Sequence, residues 1–188
     1  VADVLRMADA LHVNGEGLFA DPGNWWLFVD WQPSLHKETA LQGILIYMLR
    51  HTLTLAEKLG RSAEVGNLPS QMQKMIKSAQ SRLWDDTLKV FISGPDRQVS
   101  YASQAWMILA GVATGPQAQT LWTGIHQLER QTPSPVVRPA GPYLWHHVLD
   151  ALLSCGLGVQ ARQIMEQYWG AMIQLGATSF WEVFDPQQ

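Results

Sequence analysis

Three stretches of this chain follow one plan at unequal spacing: LHKETALQGILIYMLRHTLTLAEKLG, SYASQAWMILAGVATG and PYLWHHVLDALLSCGLG. Each opens on a polar or aromatic lead-in, continues as small and apolar residues at helical spacing, and closes on Gly. Apolar positions that recur every three to four residues give a helix one face that must be covered by another element. Repeated along a chain, with further apolar stripes between the copies, that plan predicts a stack of helical hairpins. The uneven unit lengths argue against a uniform solenoid. They argue for an all-α fold, an α/α toroid of helical hairpins with functional loops at one end.

The individual helices are legible from their stripes and stops. Residues 1–13 carry Val1, Val4, Leu5, Ala8 and Leu11 at helical spacing, and Asn14-Gly15 ends the run. Residues 15–36 read as irregular, with a turn at Asp21-Pro22-Gly23. Helices are predicted over 37–59, 68–84, 101–113, 116–130, 143–155 and 158–175, with Pro69 and Ser70 suited to a first turn and Gly60, Gly115, Gly156 and Gly176 marking ends. Residues 85–99 predict a loop or small hairpin.

Composition narrows the function. The 188 residues are 47% hydrophobic and 15% charged, which is a globular balance and enough for a single domain over 1–188. A net charge of -3 without a Lys/Arg cluster excludes a nucleic-acid footprint. No apolar run approaches the roughly 20 residues of a membrane span. The single cysteine, Cys155, rules out an intrachain disulfide and reads as a small buried hydrophobe. Walker, Rossmann, GxSxG and HExxH patterns are absent, so no cofactor and no metal is expected. His146 and His147 point about 100° apart on a helix, poorly placed to share a metal. The chain opens at Val1 inside a helix-like pattern and reads as a piece of a longer protein. Any targeting signal would then lie outside it, leaving periplasm, secretion and cytoplasm all open.

Nine tryptophans in 188 residues are the compositional outlier. Some are core. Indole faces also stack on the apolar C–H faces of sugars while the N–H stays free to donate, which makes a carbohydrate partner the expectation.

Three motifs give that expectation a family. They are Phe28-Val29-Asp30-Trp31; Gly141-Pro142-Tyr143-Leu144-Trp145-His146-His147 running into Leu149-Asp150-Ala151-Leu152 and Gly156; and Tyr168-Trp169-Gly170 followed by Gly176-Ala177-Thr178-Ser179-Phe180-Trp181-Glu182. Together they resemble the bacterial α-L-rhamnosidases, glycosidases built on a toroid of six helical hairpins. The third motif is similar to the family's Trp-Gly … Gly-Ala-Thr-Thr-x-Trp-Glu signature, with Ser179 in place of the second Thr. The resemblance runs from about residue 25 to the end and implies the C-terminal part of a catalytic barrel. The family's general-acid segment and flanking β-sandwiches have no counterpart here.

The resemblance implies inverting hydrolysis of terminal α-L-rhamnosyl linkages, with Glu182 as the general base. Inversion needs one carboxylic acid for the leaving oxygen and one carboxylate for a water on the opposite face. Trp181 would wall Glu182 and limit its solvation. Asp30 reads either as a substrate ligand or as an N-terminal cap or turn-stabilising carboxylate. Trp31 and Trp181 are the expected stacking platforms, with Trp25 and Trp26 behind them. Tyr143 at a helix start, with a packed ring and solvent-facing hydroxyl as its alternative role, and His36 near Asp30 in sequence complete the candidate substrate-binding set. A chain holding half of the catalytic pair is expected to be inactive alone, and to self-associate through faces that missing helices would cover. The competing reading is a non-catalytic helical-repeat or sugar-binding scaffold.

Overall fold

The computed structural model describes residues 13–23 and 26–185. The helix expected over 1–13 falls outside them except for Val13, as does Trp25. Six α-helices dominate the described residues: α1 (Glu38–Lys58), α2 (Leu68–Arg82), α3 (Tyr101–Leu109), α4 (Pro116–Glu129), α5 (Pro142–Ser154) and α6 (Gly158–Gln174). They match the predicted set to within a few residues. The largest difference is α3, which stops four residues early because Gly111 turns the chain at φ 68°. A 3-10 turn at Ser62–Val65 was not legible. The 85–99 region holds a short antiparallel hairpin, β1 (Trp84–Asp85) with β2 (Val90–Phe91).

The helices form two layers, and the fold is a partial all-α toroid. α1, α3 and α5, the cores of the three look-alike segments, lie side by side with α3 in the middle. α2 and α6 pack behind α1 and α5, and α4 behind α3. The central position explains why α3 buries Tyr101 through Ile108 without a gap. A helix apolar on all sides has to be flanked on all sides.

Close approach of α1 to α3 depends on Gly43. A Cβ there would lie 2.8 Å from the Trp106 backbone. Two buried glutamines tie loops to this inner layer. Gln42 accepts from the Phe19 amide and donates to Gly17 and Met75 carbonyls. Gln104 accepts from the Phe91 amide and donates to the Phe91 and Ser100 carbonyls. A primary amide has donors and acceptor enough to satisfy a buried loop backbone, which would otherwise cost stability.

The lead-in segments are stitched into one rim. The His36 amide donates to Gln98 Oε1 at 2.8 Å, and Gln98 Nε2 donates to the Ser34 carbonyl. Strand β3 (Val99–Ser100) pairs in parallel with β4 (Val136–Val137). The Ala140 amide donates to Asp30 Oδ2 at 2.7 Å, and the Phe184 amide donates to the Ala140 carbonyl at 3.2 Å. The approaches to α1, α3 and α5 and the segment after α6 therefore meet at the same end of the helices.

Candidate active-site rim

The rim gathers most of the residues singled out in the sequence. Asp30 sits at its base, only 4% exposed. Its Oδ2 holds the Ala140 amide, while Oδ1 is buried without a hydrogen-bond partner. Burial raises the Asp30 pKa above the usual carboxylate range, against the opposing pull of the Ala140, Trp31 and Gln32 amides. Asp30 does not cap α1, whose N-cap is Lys37. It ties the approach to α1 to the approach to α5.

Above Asp30 runs a line of rings. Phe28 is the hub: Trp26 stacks on it at 5.3 Å, Trp31 meets it edge-on at 4.9 Å, and Tyr143 lies 5.6 Å away. Tyr143 continues to His147 at 5.0 Å, and His147 rests on Trp106 at 4.5 Å. Trp31 and Tyr143 are half exposed, at 48% and 50%, and Trp26 is 78% exposed. Trp26 and Phe28 are two apart in an extended stretch, a spacing that points side chains to one face. That alternation is the sequence signal for Phe28, which stands in the Phe28-Val29-Asp30-Trp31 motif.

Glu182 reaches the rim from the other side. Its carbonyl oxygen lies where a Cβ on residue 141 would be, 2.2 Å away, so Gly141 alone leaves room for it. The next residues are held too: Phe184 bonds Ala140 through its amide, and its carbonyl accepts from Tyr168 Oη at 2.8 Å. Tyr168 is buried, and its pKa is pushed up by desolvation and then by the charges of Asp30 and Asp185. The backbone at Glu182 is thus fixed while its side chain is exposed and makes no hydrogen bond among the described residues. The Trp181 ring packs on Phe184 at 5.3 Å and against the core, Phe184 being the one buried residue among the described positions 178–185.

His36 lies apart from Asp30, in an adjoining pocket. Its ring crosses Gly94, where a Cβ would stand 2.0 Å from Nδ1, and Nδ1 lies 3.1 Å from Asp96. His146 and His147 have ring centroids 5.2 Å apart, and burial, then His146, lowers the His147 pKa. Among the described residues no group of three or more His, Cys, Asp or Glu could hold a metal ion. No described helix is long and apolar enough to cross a membrane.

The fold that carries this rim is paralleled in solved structures. A rhamnosidase from Klebsiella oxytoca with rhamnose bound aligns with 97% of this chain at 40% identity and a TM-score of 0.85. The chain belongs to the α-L-rhamnosidase family. It spans 35% of the Klebsiella rhamnosidase chain. A GH78 family rhamnosidase of Bacillus sp. GL1 aligns over the same 97% at 20% identity and a TM-score of 0.76, a likeness of fold, and this chain spans 20% of it. No family model matches the chain, and no curated protein does.

Proposed function

We propose that the full-length protein containing this chain is an inverting glycosidase that removes terminal α-L-rhamnosyl groups, and that residues 1–188 form the C-terminal part of its α/α-barrel catalytic domain. The observation that carries this reading is the setting of Glu182: fixed backbone, free carboxylate, at the rim that bears Trp31 and Tyr143. In this reading Glu182 takes a proton from water as the water oxygen attacks the anomeric carbon. The glycosidic bond breaks on the opposite face, and a second carboxylic acid protonates the leaving oxygen. That acid belongs to a part of the protein beyond this chain.

Trp31 and Tyr143 supply a ring face and a phenol for the sugar. Asp30 serves mainly by holding the Ala140 amide, and the Ala140 carbonyl on the next peptide group holds Phe184 in the Glu182 segment. Trp181 supports that segment from beneath.

The test is hydrolysis of an aryl α-L-rhamnoside by the full-length protein, wild type against Glu182→Gln. Loss of a general base lowers kcat by about two decades or more. Equal rates would remove Glu182 from the mechanism. A wild type inactive on rhamnosides and on a panel of other glycosides would favour the sugar-binding scaffold.

A further inference from the structure

Beside the aromatic line lies a pocket of about 360 Å³ between Phe19, Asp21, Trp26 and Leu27 on one side and the start of α1 on the other. Trp26, Leu27, His36, Lys37, Glu38 and Asp21 give it its character. Building on the glycosidase reading, we propose that this pocket is a second sugar-binding subsite, and that it holds the sugar unit of the leaving group to which the terminal rhamnosyl residue is attached.

The first argument is position. Trp26 stacks on Phe28, and Phe28 touches both Trp31 and Tyr143, the rings assigned to the terminal sugar. One ring separates the two sites. A ligand that fills both must be a linked pair of units.

The second argument is chemistry. The lining offers donors and acceptors together: the Lys37 ammonium and the His36 ring beside the Asp21 and Glu38 carboxylates. A neutral polyol, whose hydroxyls both donate and accept, needs both kinds at once. An indole that is 78% exposed adds a flat apolar face, which suits the C–H face of a pyranose.

The third argument is preorganisation. Lys37 Nζ donates to the Leu27 carbonyl at 2.7 Å, which positions the ammonium and leaves two of its three donors unused by that bond. Glu38 Oε2 accepts from Ser93 Oγ at 3.0 Å, with Oε1 unengaged by that bond. The His36 ring is held between Gly94 and Asp96. Side chains fixed before a ligand arrives lose little further freedom on binding it.

The experiment uses the full-length protein and two readouts: KM for an α-L-rhamnosyl-glucose disaccharide, and the inhibition constant of free L-rhamnose. Wild type is compared with Trp26→Ala and Glu38→Gln; the second keeps an acceptor for Ser93 and so guards against a folding defect. Losing the stacking face should raise KM for the disaccharide about fivefold to tenfold, with rhamnose inhibition unchanged. Parallel weakening of rhamnose inhibition would put Trp26 in the terminal-sugar site and overturn the proposal. So would an unchanged KM in both variants. A wild type that cleaves no rhamnoside would instead bring down the glycosidase reading itself, and this subsite with it.

Discussion

Asp30 and Ala140 stand 110 residues apart in the chain and meet through a 2.7 Å hydrogen bond from the Ala140 amide to Asp30 Oδ2. Ala140 also accepts from the Phe184 amide through its carbonyl. One residue, through the two peptide groups on either side of its Cα, thus links the aromatic segment before α1 to the segment that carries Glu182.

Removing the carboxylate should loosen both attachments. Asp30→Ala leaves a buried amide without its acceptor, at a cost of about 1–3 kcal/mol. Urea unfolding of wild type and variant measures it. Asp30→Asn should cost less, and the gap between wild type and Asn should depend on pH. The Asp30 pKa is raised by burial, so its contribution is fullest below the unfolded carboxylate range and falls as pH rises through the folded value. Asn does not ionise. Stability should therefore shift in favour of Asn between acid and neutral pH, and a shift the other way would mean that the amide contacts outweigh burial.

Gly141 gives a test of alignment. A Cβ at 2.2 Å from the Glu182 carbonyl must push that segment outward. Gly141→Ala in the full-length protein should lower kcat by about tenfold to a hundredfold, since small misplacements of a catalytic group are costly. Thermal melting should change much less than the rate. Unchanged turnover would show that the segment yields without moving Glu182.

Tyr168→Phe removes only the hydroxyl that donates to the Phe184 carbonyl at 2.8 Å. The buried bond is worth about 1 kcal/mol. A drop in kcat together with faster hydrogen exchange at residues 181–185 is the expected pattern. A stability loss with no kinetic effect would make the bond purely structural.

Two glycines on helices should respond oppositely to alanine. Gly43→Ala forces α1 away from the Trp106 backbone, 2.8 Å from the new Cβ, at about 1–3 kcal/mol. Gly170→Ala in α6 meets nothing within 4 Å and should stabilise by up to about 1 kcal/mol. Denaturation midpoints of the two variants should fall on either side of wild type.

Asp85 gives a second pH signature with the opposite sign. The Leu88 amide, with Arg97 and the Thr87 amide, holds its pKa below the ordinary range. That stabilisation is present above the unfolded carboxylate pKa and disappears as pH falls through the folded value. Asp85→Asn should cost about 1 kcal/mol near neutrality, because the Arg97 partner is largely solvent-screened, and less in acid. Melting temperatures across an acid-to-neutral series would show whether the gap closes.

The helices were readable because each is specified by neighbours three or four positions away. The stripe Leu41, Leu45, Met48, Leu49 needs no knowledge of its partner to predict α1. The inner layer was foreshadowed by the three look-alike segments. The Glu182 motif was legible as a resemblance. The packing of Trp181 on Phe184 was not legible, because a Trp beside a Glu in sequence carries no information on which ring it will meet. His36 sits near Asp30 in the chain but turns into the pocket over Gly94, a choice made by residues nearly 60 positions further on.

By itself, the sequence determined the all-α class, the number and approximate extent of the six described helices, and the family, all written in local periodicity and short motifs. Tertiary structure alone decided that Asp30 would be covered and serve as a tether, that Phe28 would join Trp26, Trp31 and Tyr143, and that Glu182 would stand free on a pinned backbone. Those outcomes depend on which lead-in segments pair at the rim. Such pairing is settled by the joint packing of distant helices, and no single stretch of sequence carries it.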